Sequence, residues 1–366
     1  MRIVITGGGT GGHVYPAIAI AEKLKEKVPD AKIVFIGTQS GLESSILQNF
    51  DYKTYYIEVS GFSRKLGKDI FRSAKNAFRG LKQSIGLLLK IKPDVVIGTG
   101  GYVCGPVVLA ASMLGIKTCI QEQNALPGVT NRILGKFANR IFLGSEAAKK
   151  YFSRKDKVFV EGNPIRSDIM LAKRNNGYSR FGFDPQKQTL LVSGGSRGAM
   201  SINSAMRYVN EKFAGSSAVQ VLHITGDAGY EETLCGMTEK VREAKNIKIV
   251  PYLDMPEALA IADLAVFRAG ALALSELAAR GVPAVLIPYP YATGNHQEHN
   301  ARAFEKENAA IVVRDNELSG ESMFSLINIL LGDRERLSSM ALSARLLGKP
   351  DAADKIADNI ISLAGK

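Results

Sequence analysis

Short runs of β-branched and aliphatic residues recur along the chain, and helical or turn-rich sequence separates each run from the next. This alternation is typical of parallel sheets covered by helices, because parallel strands are joined by long crossover connections. The first series of predicted strands is 3–6, 32–36, 94–97, 117–120, 140–143 and 158–160. A second series follows at 189–192, 219–224, 247–250, 264–267 and 284–287. The pattern therefore predicts an α/β protein with two doubly wound domains.

A polar stretch without apolar periodicity, residues 173–188, separates the two series and contains the turn-forming sequence Asn175-Asn176-Gly177. Because Gly162-Asn163-Pro164 comes just before it, we place the boundary at this point. Each half also begins with a strand, a glycine-rich turn and a helix. We therefore predict a first domain at 1–161 and a second at 162–349. Apolar residues at helical spacing predict a closing helix near the end of the chain, over residues 351–365.

Length and charge narrow the class of protein. The 366 residues exceed what one hydrophobic core usually organises, and the net charge of +12 favours an anionic partner. The three cysteines, Cys104, Cys119 and Cys235, are too scattered for a disulfide framework or a zinc site, and their odd number fits a reducing compartment. We expect no secretory leader, and the longest apolar stretch, 106–116, is shorter than the roughly 20 residues that span a bilayer. Any membrane contact is therefore expected to be peripheral.

The first predicted strand leads directly into a glycine-dense turn at residues 7–12 and then into a helix. Glycine suits close approach to a ligand, and helix N-termini attract anions, so this turn predicts a diphosphate site. The alternative is a packing turn without a ligand. The spacing also matches a dinucleotide loop, but Gln39 stands near the position where an acid is required, and the next acid is Glu43. His13 and Val14 stand where a Walker-type loop requires Lys and Ser or Thr.

Two further glycine turns follow predicted strands. The cluster at 98–106 is either a second wall of the same anionic site or a turn needed only for packing. Gly270 opens a helix in the second half and predicts another anion site. Glu276 lies five residues beyond Ala271, about 7.5 Å along the helix axis. Its carboxylate suits the two hydroxyls of a ribose, and the alternative is a solvated surface carboxylate.

The segment 294–300 is rich in amide and imidazole side chains, which suit sugar hydroxyls because they both donate and accept. His296 and His299 are spaced like a pair of metal ligands. No Cys and no H-E-x-x-H context accompanies them, so we interpret the segment as a sugar contact and predict no metal site.

With these residues assembled, the chain resembles the MurG family of bacterial peptidoglycan glycosyltransferases over nearly its whole length. The motifs that carry the resemblance are Gly8-Gly9-Thr10-Gly11-Gly12-His13, Gly100-Gly101-Tyr102-Val103, Glu122-Gln123-Asn124, Gly162-Asn163-Pro164-Ile165-Arg166, Gly194-Gly195-Ser196, Arg268-Ala269-Gly270-Ala271, and Gln297 with Asn300-Ala301. The resemblance implies the glycosyltransferase-B fold, with two Rossmann-like domains facing a central cleft and the last helix, 350–366, packing back on the first domain.

The resemblance also implies an activity. It is the transfer, with inversion, of N-acetylglucosamine from UDP-N-acetylglucosamine to the muramoyl sugar of lipid I, an undecaprenyl-pyrophosphoryl acceptor. The product is lipid II of peptidoglycan synthesis, so the implied roles include cell-wall biogenesis, cell shape and cell division.

Matching positions imply a set of binding residues. Those for the donor are Leu253 at the uracil, Glu276 at the ribose, Ser196, Gly270, Ala271 and Leu272 at the phosphates, Gln297 and Asn124 at the sugar, Arg166 near the boundary, and Thr10, Gly11 and Gly12. Those for the acceptor are Gly9, Thr10, Gly11, Gly12, His13, Gly100, Gly101 and Tyr102. The chain departs from the family pattern at Arg197, at Leu253-Asp254-Met255 and at Ala273.

Inverting transfer is a single displacement in which a base takes the proton of the attacking acceptor hydroxyl. His13 is the preferred base because a neutral imidazole accepts a proton near pH 7. Glu122 is the second candidate, and the alternative role of His13 is to order the loop or contact the pyrophosphate. The helix N-terminus at 270–272 would stabilise the departing UDP, so we expect neither a metal nor a cofactor.

Basic residues dominate the segment 62–93 and are opposed only by Asp69. Apolar residues interleave with them, so residues 64–92 predict a cationic amphipathic helix suited to an anionic membrane surface. The alternative is a sheet-covering helix with a solvated basic face. With a lipid-linked acceptor, the first interpretation predicts a peripheral protein on the cytoplasmic face of the inner (plasma) membrane.

Three other functions compete with this one. Another nucleotide-sugar enzyme of the same fold, such as a lipid or natural-product glycosyltransferase or a sugar epimerase, is the nearest, and the acceptor-side loops disfavour it. A nicotinamide dehydrogenase would need an acidic residue after residue 36, and this chain has none at that position. A nucleic-acid-binding protein would need aromatic platforms or a basic groove, so we expect no nucleic-acid partner.

Overall fold

The computed structural model describes residues 1–39, 42–59, 68–195 and 198–365, without the side chains of residues 42, 45, 68–75 and 293. The chain forms two compact units, Met1–Arg166 with Pro350–Lys366, and Ser167–Lys349. We call them unit 1 and unit 2. Each unit has its own parallel sheet.

Unit 1 contains the strands β1 (Arg2–Thr6), β2 (Lys32–Gly37), β3 (Lys53–Tyr56), β4 (Val95–Gly98), β5 (Lys117–Glu122), β6 (Arg140–Leu143) and β7 (Val158–Phe159). They form one parallel sheet in the order β3-β2-β1-β4-β5-β6-β7. Its helices are α1 (Gly11–Lys27), α2 (Leu42–Leu47), α3 (Lys68–Ile91), α4 (Cys104–Met113) and α5 (Val129–Leu134), with 3-10 helices at Glu146–Tyr151 and Lys155–Lys157.

Unit 2 contains the strands β8 (Gln188–Ser193), β9 (Val219–Ile224), β10 (Ile247–Val250), β11 (Leu264–Phe267), β12 (Ala284–Leu286) and β13 (Ala310–Val312), in the parallel order β10-β9-β8-β11-β12-β13. Its helices are α6 (Ser167–Leu171), α7 (Arg174–Phe181), α8 (Met200–Phe213), α9 (Tyr230–Cys235), α10 (Glu239–Glu243), α11 (Pro256–Ile261), α12 (Ala271–Arg280), α13 (His296–Lys306), α14 (Gly320–Gly332) and α15 (Arg334–Leu347). Three 3-10 helices lie at Asp227–Gly229, Thr293–Asn295 and Asp315–Glu317. The two sheets confirm the α/β class and the doubly wound topology.

Alternate residues of β1 face two different hydrophobic cores, which shows why the strand is apolar throughout. Ile3 and Ile5 pack in one core with α1, and Val4 packs in the other with α4. All three side chains are fully buried. Helices therefore cover both faces of the sheet, as parallel sheets require.

The last helix, α16 (Ala352–Leu363), completes the core of unit 1. Ile356 and Ile360 are fully buried in the same core as Ile3 and Ile5. At the rim, Lys27 of α1 forms an ion pair of 2.9 Å with Asp358 of α16.

Two strands were absent from the predicted series. β3 pairs with β2 at the edge of its sheet, and none of its four side chains is fully buried, so it has no apolar run to detect. β13 is only three residues long and lies at the edge of the second sheet.

The division between the units falls after Arg166, five residues beyond the predicted boundary at residue 161. The intervening residues are bonded to unit 1, which is the physical reason for the shift. Gly162 donates its N–H to the Leu143 carbonyl over 3.0 Å, and the Asn163 side chain bonds to Gln121 and Gln123.

Among the described residues, no helix combines the length and the apolar character needed to cross a membrane. The segment predicted to contact membrane lies largely in α3. Its first residues, 64–67, and the side chains of 68–75 lie outside the described residues.

Candidate active site

The two glycine loops of unit 1 leave the sheet side by side. β1 pairs with β2 on one side and with β4 on the other, so the strand order reverses at β1. The following helices, α1 and α4, belong to the cores on opposite faces of the sheet. Connections that diverge in this way open a crevice, and open α/β sheets bind ligands there.

The glycines of these loops are required by contacts within the protein. A Cβ atom on Gly101 would lie 2.1 Å from the Gly8 carbonyl oxygen, and one on Gly8 would lie 2.6 Å from the Glu43 carboxylate. Gly9, Gly100 and Gly101 also have φ angles of 85°, 106° and 83°, which side chains other than glycine rarely adopt. The two loops are therefore packed closely on each other.

Two N–H groups of the first loop donate hydrogen bonds to other residues of unit 1. Gly8 donates to the Gly100 carbonyl over 3.3 Å, and Gly9 donates to the Glu43 carboxylate over 3.0 Å. The predicted acceptor contact of Gly9 therefore does not come from its N–H group.

Helix α1 presents the next amides at its N-terminus. Thr10 is the N-cap residue, its side chain makes no capping hydrogen bond, and the first turn contains no acidic residue. The amides of Gly11 and Gly12 come before the first backbone bond of this turn, which runs from the His13 N–H to the Thr10 carbonyl over 3.1 Å. Such amides act with the positive end of the helix dipole, and this arrangement suits a diphosphate.

Glu43 ties the first loop to the end of β2, a role that its position in the sequence does not indicate. Its fully buried carboxylate accepts hydrogen bonds from the Gly9 N–H and from the N–H and hydroxyl of Thr38. The Thr38 hydroxyl also lies 3.3 Å from the hydroxyl of Tyr102, whose ring lies against Gly9. The structure thus brings the predicted residues Gly9 and Tyr102 together.

His13, the predicted base, faces the second loop. Its Nδ1 atom lies 3.1 Å from the Thr99 carbonyl oxygen and 3.1 Å from Oε1 of Gln123. A Cβ atom on Gly100 would lie 2.6 Å from the same nitrogen, so the glycine leaves room for the imidazole. Gln123 and Thr99 were not predicted as site residues, because only the fold brings them to His13.

The carboxylate of Glu122, the second candidate for the base, is hydrogen-bonded within the protein. It is 2% exposed, so it has little access to a substrate. One oxygen accepts from the N–H and Nδ2 of Asn124, and the other accepts from the Gly128 N–H and from Asn131 Nδ2 over 2.9 Å. These four donors occupy its oxygens and favour His13 over Glu122, whose role as a base stays a prediction.

Asn124 and Arg166, which we predicted to contact the donor, belong to unit 1. The Asn124 side chain lies 3.2 Å from Glu122, and the Arg166 guanidinium lies 5.1 Å from the centre of the Tyr15 ring. Their contacts with a donor stay predictions.

The second sheet repeats the reversal of strand order at β8, which lies between β9 and β11. Gly194, the first residue after β8, is tightly packed, since a Cβ atom on it would lie 2.3 Å from the Ala199 nitrogen. Ser196 and Arg197 lie outside the described residues, so the predicted phosphate contact of Ser196 stays a prediction.

Gly270 differs from the other loop glycines. Its φ of −67° and ψ of 135° are open to any residue, and no heavy atom of the described protein lies within 4 Å of a Cβ atom built on it. Neither its backbone conformation nor its packing therefore requires glycine. α12 begins at the next residue, Ala271, and has neither a side-chain cap nor an acidic residue in its first turn. A ligand close to Gly270 would account for the missing side chain.

Leu272 and Glu276 share one side of α12, because they are four residues apart. Both are half-buried. Leu253 is half-buried in the connection after β10, two strands from β8 in the same sheet. These positions are compatible with the predicted order of phosphate, ribose and base, and the contacts themselves stay predictions.

Helix α13 holds the loops on either side of it. Gln297 accepts the Tyr289 N–H on its Oε1 atom over 3.0 Å, and Asn300 donates its Nδ2 to the Ala269 carbonyl over 3.3 Å. Asn300 therefore fixes the residue before Gly270, and the contact of Gln297 with a sugar stays a prediction.

Arg268 is a further residue of this region that was not predicted as part of the site. Its guanidinium pairs with Asp315, bonds to the Ser201 hydroxyl over 2.9 Å and donates to the carbonyls of Ile287 and Pro288. It joins the carboxyl ends of β11 and β12. Its signal in the sequence is the motif Arg268-Ala269-Gly270-Ala271, which carries part of the resemblance.

In the described ranges of the chain, no three His, Cys, Asp or Glu side chains lie close enough together to hold a metal ion.

Comparisons with known proteins assign both units. The glycosyltransferase family 28 N-terminal domain matches residues 3–143, and the glycosyltransferase family 28 C-terminal domain matches residues 189–356. The chain belongs to glycosyltransferase family 28. A relative from Desulforamulus reducens is 46% identical over 360 residues, with 97% of each chain covered. Its name is UDP-N-acetylglucosamine--N-acetylmuramyl-(pentapeptide) pyrophosphoryl-undecaprenol N-acetylglucosamine transferase.

Solved structures agree with this family assignment. The crystal structure of Acinetobacter baumannii MurG has a TM-score of 0.76 and 27% identity, with 99% of each chain covered, which confirms the resemblance to the MurG family. A UDP-GlcNAc 2-epimerase from Neisseria meningitidis has a TM-score of 0.72 but only 13% identity, over 99% of this chain and 100% of its own. The epimerase therefore shares the fold alone.

Proposed function

We propose that this glycosyltransferase moves N-acetylglucosamine from UDP-N-acetylglucosamine to the muramoyl sugar of lipid I and so forms lipid II. The observation that carries the proposal is the 46% identity, over nearly the full length, to a relative whose name states this reaction. Two helix N-termini support it, because each suits a diphosphate group: α1 follows β1, where the strand order of the first sheet reverses, and α12 follows β11, the neighbour of β8, where the order of the second sheet reverses.

We assign the donor to unit 2. The uncapped N-terminus of α12, with Gly270, Ala271 and Leu272, binds the diphosphate of UDP, and Glu276 accepts hydrogen bonds from the ribose hydroxyls. Negative charge develops on the UDP oxygen as the bond to the anomeric carbon breaks. A preformed helix N-terminus stabilises that charge without reorganisation, so the proposed reaction needs no metal.

We assign the acceptor pyrophosphate to unit 1. The amides of Gly11 and Gly12 at the start of α1 face it, with Thr10 beside them and the loop of Gly100, Gly101 and Tyr102 as the second wall.

The proposed base is His13. The acceptor hydroxyl gives its proton to the imidazole while its oxygen forms a bond to the anomeric carbon, and the bond from that carbon to the UDP oxygen breaks with its electron pair leaving on UDP. Attack from the face opposite UDP inverts the configuration.

We further propose that α3 contacts an anionic membrane surface on the cytoplasmic face of the inner membrane. Phe78, Lys82 and Leu89 share one side of the helix by their spacing, while Leu88 is fully buried. Phe78 is 72% exposed and Leu89 is 57% exposed, so large apolar side chains stand beside a cation on the open side. This combination favours the interface of an acidic bilayer.

Titration calorimetry with UDP, UDP-N-acetylglucosamine and NAD tests the donor assignment. We expect both uridine nucleotides to bind and NAD not to bind. Glu276→Gln should weaken both uridine nucleotides about tenfold, because one charged hydrogen-bond acceptor is lost. Glu321→Gln, on the exposed start of α14, is the matched control and should have no effect. A chain that binds NAD as tightly as UDP, or no uridine nucleotide, contradicts the proposal.

Vesicle cosedimentation tests the membrane assignment. We expect binding that rises with anionic lipid, falls with salt and weakens in Phe78→Ser. Leu342→Ser, which changes a 60% exposed leucine of unit 2, is the control and should bind as the parent protein does. Binding that ignores both salt and lipid charge counts against the assignment.

A further inference from the structure

Three buried amide side chains lead in a line to His13. Asn163, Gln121 and Gln123 are 5%, 0% and 4% exposed. Gln121 donates Nε2 to Asn163 Oδ1 over 3.0 Å, Gln123 donates Nε2 to Gln121 Oε1, and Gln123 Oε1 lies 3.1 Å from His13 Nδ1. The line ends on the residue proposed as the base.

Backbone carbonyls fix the direction of this line. Asn163 donates Nδ2 to the Gln123 carbonyl over 3.2 Å, and Gln123 donates Nε2 to the Thr99 carbonyl over 2.6 Å. A carbonyl oxygen only accepts hydrogen bonds, so the end of each amide that faces it must be the NH₂ group. The opposite end, Oε1 of Gln123, is therefore an acceptor where it meets His13.

His13 Nδ1 thus faces two oxygen acceptors, since the Thr99 carbonyl oxygen lies 3.1 Å away and Gln123 Oε1 lies 3.1 Å away. We propose that Gln123 is a positioning residue that, with the Thr99 carbonyl, keeps the proton of neutral His13 on Nδ1 and so places the lone pair on Nε2. Reversing the Gln123 amide would set two donors against each other at His13 and two oxygens against each other at Thr99.

Two glycines make room for the arrangement. A Cβ atom on Gly144 would lie 2.1 Å from Asn163 Oδ1, and one on Gly100 would lie 2.6 Å from His13 Nδ1. Substitution at either glycine would displace one end of the line.

The catalytic meaning of this tautomer rests on the proposed function. In that reaction Nε2 takes the proton of the acceptor hydroxyl, and the imidazolium keeps its Nδ1–H on Gln123 and Thr99. Two oxygen acceptors on Nδ1–H stabilise the positive ring, so Gln123 acts through His13 and does not touch the reacting atoms.

Nitrogen NMR of histidine in the full chain measures the tautomer without any assay of transfer. The protein contains only four histidines, so ¹⁵N-histidine labelling gives a simple spectrum, and His13→Gln identifies the signals of His13. We expect Nδ1 of the neutral ring to carry the proton. A proton on Nε2 would overturn the proposal, whether or not the chain forms lipid II.

Two variants then test the role of Gln123. In Gln123→Met we expect a mixture of tautomers and a kcat about ten- to hundredfold lower, with little change in the KM for UDP-N-acetylglucosamine. In Gln123→Glu the carboxylate favours the imidazolium, so the acid limb of the kcat profile should move to higher pH.

Gln220→Met is the matched control, because Gln220 is 1% exposed and bonded through its amide, but lies in unit 2. It should leave the His13 spectrum and the pH profile unchanged. If Gln123→Met matches this control in tautomer and in kcat, Gln123 does not position His13. If the unsubstituted protein shows the Nδ1–H tautomer but does not form lipid II, the result contradicts the proposed reaction and leaves the positioning role of Gln123 standing.

Discussion

At the scale of single residues, two buried carboxylates of unit 1 hold loops in place. Glu43 accepts three hydrogen bonds at the first glycine loop and the end of β2, and Glu122 accepts four from the connection after β5 and from α5. A buried charge is costly unless donors satisfy it, so both residues depend on the loop amides that they bind. The loops in turn keep their shape because their amides remain bonded to these carboxylates.

Glu43→Gln tests this dependence at the first loop. The amide places a donor among the donors of Gly9 and Thr38, so the loop should lose its fixed shape. We expect kcat/KM for the acceptor to fall about ten- to hundredfold, because hydrogen bonds to a charged group are lost. Steady-state kinetics with varied acceptor measures the effect, and UDP affinity should not change.

Glu26→Gln, at the exposed end of α1, is the control for Glu43→Gln. Acceptor kinetics that are identical in the two variants would show that Glu43 does not shape the acceptor loop.

His223 predicts how stability depends on pH. Burial lowers its pKa to about 3, while the same ring titrates near 6.5 in an unfolded chain. Below pH 6.5 only the unfolded chain gains this proton, so the folded state loses stability as the pH falls from 6.5 toward 3. The slope from this residue is about 1.4 kcal/mol per pH unit.

Denaturant unfolding of the parent protein and of His223→Gln between pH 7 and pH 5 checks the slope. The glutamine side chain of this variant can bond to Asn203 and Asn210 as the histidine does, but it does not titrate. We expect the variant to lose less stability on acidification. Equal slopes in the two proteins would be inconsistent with a buried neutral His223.

The sequence located the glycine loops but not their partners. Gly9 bonds to a residue 34 positions away, and His13 bonds to one 110 positions away. No local pattern encodes such distances, so Glu43 and Gln123 emerge only from the fold. Glu122 shows the same limit, because the motif that suggested a base does not reveal the four hydrogen bonds that its carboxylate accepts.

At the scale of elements, the helix N-termini of α1 and α12 are the parts of the fold suited to phosphate. Both lack a side-chain cap and an acidic first turn. The glycines near the two helices differ in what requires them. Gly101, in the loop after β4, is required by its close contact with the Gly8 carbonyl, whereas no contact within the described protein requires Gly270. This contrast separates glycines that the fold requires from one that a ligand would require.

Substitution by alanine tests the contrast. Gly270→Ala should change the free energy of unfolding by about 1 kcal/mol or less, since the backbone already suits alanine, yet weaken UDP about tenfold or more. Gly101→Ala should cost at least about 2 kcal/mol, because its φ is positive and its Cβ atom meets the Gly8 carbonyl. Denaturant unfolding and UDP titration give the two quantities.

Gly86→Ala, an open glycine within α3, is the control for ligand binding. Unchanged UDP affinity in Gly270→Ala would show that the diphosphate does not bind at the N-terminus of α12.

Apolar runs predicted most strands correctly because helices cover both faces of each sheet. Of the four edge strands, two were missed: two of the four residues of β3 are exposed and none is buried, and β13 has only three residues. The boundary between units was displaced for a similar reason, since Asn163 belongs to unit 1 through side-chain bonds and not through a strand.

At the scale of the whole molecule, the chain builds the same doubly wound sheet twice and then returns to unit 1. Helix α16 is separated from the rest of unit 1 by all of unit 2, yet Ile356 lies in the core beside α1. The stability of unit 1 therefore depends on the last residues of the chain.

Ile356→Ala tests this dependence. Ile356 is fully buried, so its truncation should destabilise unit 1 by about 3 kcal/mol. Calorimetry should show a lower unfolding temperature for unit 1, while UDP binding to unit 2 persists. A variant with the stability of the parent protein would mean that α16 is dispensable for unit 1.

The central claim is the transfer reaction itself. The direct measurement combines the purified chain, UDP-N-acetylglucosamine and lipid I in vesicles, and follows released UDP, the lipid product and the configuration of the new bond. We predict one UDP for each lipid II formed and an inverted anomeric centre. UDP release without a disaccharide, a retained configuration, or no turnover of lipid I would contradict the account.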